Sequence, residues 1–318
     1  MSESLPTAET AAAVVQHHLA TAVQTVVRFQ TGLAHYVYDV QTADGRRVVV
    51  RLGRIGQAAD FVSAVYWHRL LVPRGVPLPN LLGSDVQPPV GSFPFMLMER
   101  LPGRDLNDEY PTLSSEQKRL LAQRLVQIQA SVGELPPGSG FGFARSYEDP
   151  SLHATWADVL LASLERSRRH MQSAGVVSTT HVDRAARKLP AYHSYFAAIP
   201  PTAFLDDATT KNVLVHDGQL SGIVDVDWVC FGDPLFVVAL TQMALLESRY
   251  DTDYITFWTD ELHLTADQHA VLSLYTAIFG IDFLGELGQR FNRDVAPAVD
   301  AQEMDYLIGT IDRLLSEV

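Results

Sequence analysis

The chain has 318 residues, of which 47% are hydrophobic and 19% charged, and a formal net charge of −13. That balance excludes a disordered or low-complexity protein and leaves enough chain for one large domain or two modest lobes. An acidic chain without a run of lysine or arginine lacks the electrostatic footprint for nucleic acid, and its one cysteine, Cys230, excludes an intramolecular disulfide and any multi-cysteine metal site.

No stretch approaches the ~20 apolar residues of a membrane span, and the first twenty residues lack a basic region followed by an apolar one. A soluble, cytoplasmic protein without a membrane partner, monomeric or homodimeric, is the expectation. In chain order, residues 24–52 alternate and are rich in β-branched and aromatic residues, with Asp44-Gly45 as a hairpin signal. They predict three antiparallel strands, with Gly32 in the loop after the first and the third ending near Arg51. Residues 57–72 space Phe61, Val65 and Leu71 as one face of a helix, which the prolines of PRGVPLP, 73–79, terminate. Short strands follow near 80–84 and at 93–100.

From Ser114 the chain reads as helical, with helices over 115–132, 154–174, 180–198, from Thr265 to about 290, and 299–316. Ser114 with Gln117 and Thr265 with Gln268 have capping-box spacing. One strand-like patch interrupts this half, NVLVHDGQLSGIVDVDW at 212–228, with Asp217-Gly218 as its turn. Gly232-Asp233-Pro234 then opens a helix with Asp233 as N-cap. The expected fold is α+β and bilobal: a small antiparallel-sheet lobe over 1–100, a connector at 99–103, and a larger, mainly helical lobe over 101–318 containing one hairpin.

The chemistry concentrates at that hairpin. Asp207 and Asn212 flank its entry and Asp225 its exit, so pairing the two strands gathers them. Carboxylate and amide oxygens are hard donors of the kind Mg²⁺ accepts, and a set this small suits a metal whose other ligands are substrate phosphates. ATP with Mg²⁺ is the cofactor pair this points to. The eleven histidines show no H-E-x-x-H pair, GSGFG at 138–142 has no strand before it, and no G-x-S-x-G elbow occurs.

Asp207-x4-Asn212, a hairpin, Asp225 and GDP at 232–234 together resemble the aminoglycoside phosphotransferase and choline kinase-like superfamily, whose pattern is H-G-D-x4-N, I-D and G-D-P. Its protein-kinase relatives use H-R-D-x4-N with D-F-G. The resemblance runs over nearly the whole chain and implies a protein-kinase-like fold and transfer of the ATP γ-phosphate to a hydroxyl of a small molecule: an amino sugar, a sugar or an amino-alcohol. It implies that Asp207 accepts or orients the acceptor hydroxyl and that Asn212 and Asp225 hold Mg²⁺. Asp227, two residues on, is expected on the same strand face as Asp225, either supporting the metal or capping the next turn. Met98, Glu99 and Leu101 would form the hinge that receives adenine, and FQTGLAHY, with Gly32, the loop over the phosphates. Lys211, four residues after Asp207, would reach the transferring phosphate.

Several positions depart from the pattern. Leu205 and Asp206 replace the histidine and glycine before Asp207, Arg51 stands where the phosphate-binding lysine is usual, and the glutamate partner of that lysine falls near Ser63–Ala64, which supply no carboxylate. Two readings follow, a phosphotransferase with a rewired nucleotide anchor and a nucleotide-binding pseudokinase acting as a regulatory or scaffold module. For the acceptor site, Asp251, Asp253, Asp260, Glu261, Asp282 and Glu286 are candidate acids, and Tyr147, Trp156, Trp228 and Phe231 candidate pocket or core aromatics.

Overall fold

The structure is a computed structural model that describes residues 5–29, 35–89, 92–289 and 298–318. The chain starts with a helix absent from the expectation, α1 (Ala8–Leu19), capped reciprocally by Thr7 and Thr10, a Thr pair in place of the usual Ser/Thr with Glu/Gln. Next come β1 (Val23–Arg28), β2 (Tyr36–Thr42), β3 (Arg47–Leu52), α2 (Ala58–Leu71), β4 (Leu81–Asp85) and β5 (Phe95–Glu99). The strands form one antiparallel sheet in the order β1-β2-β3-β5-β4. Alternation puts Tyr36, Tyr38, Val40, Val48, Val50 and Leu52 on a buried face, which packs with Ala11 and Val15 of α1.

The remainder begins with β6 (Arg104–Asp105), α3 (Leu106–Glu109) and α4 (Ser115–Gly133), and Ser114 and Gln117 cap α4 as their spacing predicts. It continues through β7 (Gly142–Ala144), α5 (Trp156–Ala174), α6 (Thr180–Lys188), α7 (His193–Ala198), β8 (Thr202–Phe204), β9 (Val213–His216), β10 (Gln219–Ile223) and β11 (Val229–Gly232). Four helices close the chain: α8 (Leu235–Glu247), α9 (Asp253–Leu262), α10 (Ala266–Glu286) and α11 (Ala301–Ser316). The helix expected over 180–198 is broken at Leu189–Tyr192, where Pro190 cannot donate to the helical ladder.

This half holds more strand than one hairpin. β9 and β10 pair as expected, but β6 joins them, and β7, β11 and β8 form a second three-stranded sheet. Those strands are only two to four residues long, too short to leave an alternating signature, and pair over long sequence separations. A single core around Trp156, Phe204, Phe236 and Tyr275 unites the helices with this sheet.

The fold is the expected α+β, bilobal, protein-kinase-like one, and the two parts meet at defined points. The Trp67 indole N–H in α2 donates to the Ala144 carbonyl at 2.8 Å. The Ile223 N–H donates to the Pro77 carbonyl at 2.9 Å, and a Cβ on neighbouring Gly222 would stand 2.7 Å from that same oxygen. The hairpin therefore lies directly on the GVPLP loop. Among the described residues no helix is long and apolar enough to cross a membrane.

Candidate active site

Strand β8 delivers the chain into a tight turn at Asp206–Asp207, and β9 carries it away. The turn is fixed from inside. The Asn212 and Val213 N–H groups donate to the Thr209 carbonyl at 3.1 and 2.9 Å, and the Asn212 amide nitrogen donates to the Asp207 carbonyl at 2.9 Å. The Val224 N–H donates to the Asn212 carbonyl at 2.9 Å, so the ladder that closes the hairpin also sets Asp225 beside Asn212. Asp225 adopts a left-handed backbone, φ 61°, which aspartate tolerates better than most residues.

Leu205 occupies the place of the missing histidine as a core residue. Its backbone is gripped from α4: its N–H donates to the Gln129 side-chain oxygen, and the Gln129 amide donates to its carbonyl, both at 2.9 Å. Gln129 is buried, and nothing in its sequence surroundings marked it. Asp233, expected as an N-cap, accepts from the Leu235 N–H at 3.0 Å and from the Tyr195 and Tyr275 hydroxyls at 2.9 and 3.0 Å. It anchors β11 and α8 beneath the site.

Asp206, Asp207, Asp225 and Asp227 line one cavity of about 330 Å³, with Phe143, Arg166, Leu205, Ala208, Val226 and Trp228. Burial pushes the Asp206 carboxyl up to about 7, and the Asp227 charge adds to it. Asp207 is raised in the same direction, by loss of solvent and by the Asp206 and Asp225 charges, against hydrogen bonds from Thr209 and Asn212. Asp207 is exposed to the cavity it lines.

Opposite these acids stands Arg51, buried on β3. Its two terminal nitrogens donate to the two carboxylate oxygens of Asp227; one lies 2.9 Å from Asp225 Oδ1 and 2.6 Å from His35 Nδ1. The Arg51 guanidinium also lies 5.5 Å from the Phe61 ring centroid. Burial beside Arg51 pushes the His35 imidazole down to about 3, the loss of solvent leading and the Arg51 charge following. His35, Asp225 and Asp227 bring donor atoms within 4.8 Å of one another, a spacing that can hold a cation. The position expected for a metal-side Asp227 is therefore taken up with Arg51.

Other expected residues fall around this centre. Met98 packs with Phe61, Val65 and Met96, and pairs across the sheet with Val49, while Met96 pairs with Arg51. The Glu99 N–H is engaged by the Asn80 carbonyl at 3.0 Å, and the Leu101 carbonyl accepts from Arg100 at 2.8 Å. Gly32 lies outside the described residues. Lys211 is exposed and not among the cavity-lining residues; its charge acts on Asp105, Glu247 and Glu286.

Those three acids, with Asp282, make an acidic flank that sequence reading caught only in Asp282 and Glu286. Burial, helped by Asp282, raises Glu286 to about 7, and burial with Asp108 raises Asp105 to about 6. Arg166 joins flank to cavity, lining the latter and pairing with Asp282 at 3.1 Å. Asp251 instead serves structure, accepting from Lys118 and Tyr110, and Asp253, Asp260 and Glu261 are solvated on α9. Trp156 and Phe231 are core; Trp228 alone of the four aromatics lines the cavity.

With this geometry in place, residues 25–272 match the model of the phosphotransferase enzyme family. The chain belongs to that family. Solved structures share its fold at low identity. An apo thermostable mutant of aminoglycoside phosphotransferase APH(4)-Ia is 18% identical, with a TM-score of 0.72 over 96% of this chain and 98% of that one. The GDP complex of aminoglycoside 2'-phosphotransferase-IIIa is 14% identical, with a TM-score of 0.68 over 98% and 99%. A putative fructosamine-3-kinase from Thermobifida fusca YX-ER1 is 16% identical, with a TM-score of 0.62 over 96% and 98%. APH(4)-Ia mutants have also been captured as ternary complexes of hygromycin B with AMP-PNP or ADP. No curated protein sequence matches the chain.

Proposed function

We propose that this phosphotransferase is an ATP-dependent kinase that moves the γ-phosphate to a hydroxyl of a small, amine-bearing acceptor, an amino sugar, sugar amine or amino-alcohol. The observation that carries the reading is that a single hairpin sets Asp207 and Asp225 on one cavity and holds Asn212 against the Asp207 main chain beside them. Asp207 stands at the open side, where it holds an acceptor hydroxyl in line and takes its proton as the new bond forms. Asn212 and Asp225 offer only oxygens to a metal, since the Asn212 amide nitrogen is turned to the Asp207 carbonyl, and that donor set fits Mg²⁺. Bound there with a triphosphate, Mg²⁺ would neutralise its negative charge. Adenine is assigned to the hinge main chain at Glu99 and Leu101, beside Met98, and the phosphates to Arg51.

The acidic flank of Asp105, Glu247, Asp282 and Glu286 favours an acceptor that carries ammonium groups. Lys211 sits inside that flank, so its proposed contact with the transferring phosphate requires it to swing away from these acids. The pseudokinase reading draws on one observation, the 2.9 Å contact of Arg51 with Asp225, a cation already on a metal-side carboxylate. Turnover decides between them. ATP consumption with Mg²⁺ is expected for at least one member of a panel of aminoglycosides, fructosamines, amino-alcohols and neutral sugars, with amines preferred over neutral sugars. Nucleotide binding without consumption across the panel would hand the site to the pseudokinase reading.

A further inference from the structure

Helix α2 runs beside the buried end of β3 but, among the described residues, gives Arg51 no hydrogen-bonded acid. Phe61 lies under the guanidinium, Ser63 and Ala64 are buried without a carboxylate to offer, and Asp60 acts on Arg51 only through its charge. A buried guanidinium without a hydrogen-bonded acid is costly, so a direct partner must come from elsewhere. It comes from across the cleft. Asp227, on the segment leaving the catalytic hairpin, takes both terminal nitrogens of Arg51 in a two-pronged pair. The Ser63 hydroxyl donates to the Asp227 main-chain carbonyl, so the helix position that lacks an acid holds in place the residue that supplies one.

The two acids that touch Arg51 are not equivalent. Asp227 engages it through both oxygens, and its side chain is only 12% exposed; Asp225 touches it through one oxygen and is 50% exposed. A single, half-open contact is readily exchanged, whereas a buried forked pair is held. Arg51 Nε makes no hydrogen bond among the described residues, which leaves a donor on the guanidinium beyond the two engaged by Asp227.

We infer that Asp227 is the positioning acid of the nucleotide anchor, a carboxylate supplied across the cleft that orients Arg51, and that the metal is left to Asn212 and Asp225. The inference rests on the kinase reading only for the identity of what Arg51 faces. It assigns Asp227 to the anchor rather than to the metal set in which its spacing placed it.

Calorimetric titration with ADP in EDTA, then with Mg²⁺, separates the two roles without turnover. Asp227→Asn, isosteric and still able to accept from Ser63 through its carbonyl, is expected to weaken metal-free ADP binding about tenfold, the loss of one charge-assisted pair. Arg51→Gln should do the same, and the double variant should be no weaker than either. The gain on adding Mg²⁺ should survive in Asp227→Asn and vanish in Asp225→Asn. Unchanged metal-free affinity in Asp227→Asn, with its Mg²⁺ gain abolished, would make Asp227 a metal ligand and overturn the inference. If the wild-type protein binds no ADP, the kinase reading falls by itself. Thermal melts then judge the pair: Tm losses of Arg51→Gln and Asp227→Asn that add in the double variant refute the coupling, and losses that do not add sustain it.

Discussion

The hairpin of β9 and β10 and the Arg51 cluster face each other across one cleft yet are built on opposite plans. In the hairpin, Asp207, Asn212 and Asp225, the residues proposed to carry the chemistry, lie within 19 positions of one another, and local hydrogen bonds of the turn and ladder set their geometry. In the cluster, Arg51 draws its partners from residue 35 on one side and residues 225 and 227 on the other. A local plan writes its chemistry into sequence spacing. A distributed plan writes it only into the fold.

The comparison can be pressed hardest at Asp207. Asp207→Asn keeps the bond to the Asp207 main-chain carbonyl and leaves an oxygen to accept from Thr209, but removes the proposed proton acceptor. Turnover of the best acceptor should fall about a thousandfold while Tm does not fall. Turnover within a few-fold of wild type would take the reaction away from the hairpin.

Next in size is the support beneath it. Gln129→Leu strips partners from a buried N–H and a buried C=O of Leu205 at once, a loss of about 2–6 kcal/mol in denaturant unfolding at roughly 1–3 per group. A loss no larger than a surface substitution gives would mean the turn is held by its own bonds alone.

The smallest effect concerns Asp206. Its folded carboxyl, raised from 3.8 to about 7, keeps a proton that the unfolded chain releases, so this group makes the protein lose stability as pH climbs through that window. Asp206→Asn should therefore raise Tm more at pH 8 than at pH 4.5. An equal shift at both values would show that Asp206 ionises freely in the fold.

The same contrast explains what the chain discloses before it is folded. Asp207-x4-Asn212 and Asp225 were legible because a hairpin converts fixed spacing into proximity, and capping boxes at Ser114 and Thr265 were legible because a cap acts three residues away. The sheet of β7, β11 and β8 left no such trace, being short and paired over long separations. Gln129, Ser63 and the Arg51 pairing with Asp227 were silent for a related reason: each contact spans 76 to 176 positions. Asp227 shows the limit best: β10 ends at Ile223 and Asp225 turns left-handed, so the alternation expected of a strand does not hold there, and no spacing names the cation that meets Asp227.

Gly222 shows how finely that meeting is arranged. With only a hydrogen on its α-carbon, it lets β10 lie against the Pro77 carbonyl, where a methyl group would stand 2.7 Å from that oxygen. An alanine there has to push the GVPLP loop back or the hairpin forward. Three residues downstream of it begins the segment that carries Asp225 and Asp227, whose oxygens must meet an arginine rooted in the other lobe. The approach of the hairpin to the other lobe is thus set by one missing methyl group, which would also meet the Leu101 side chain.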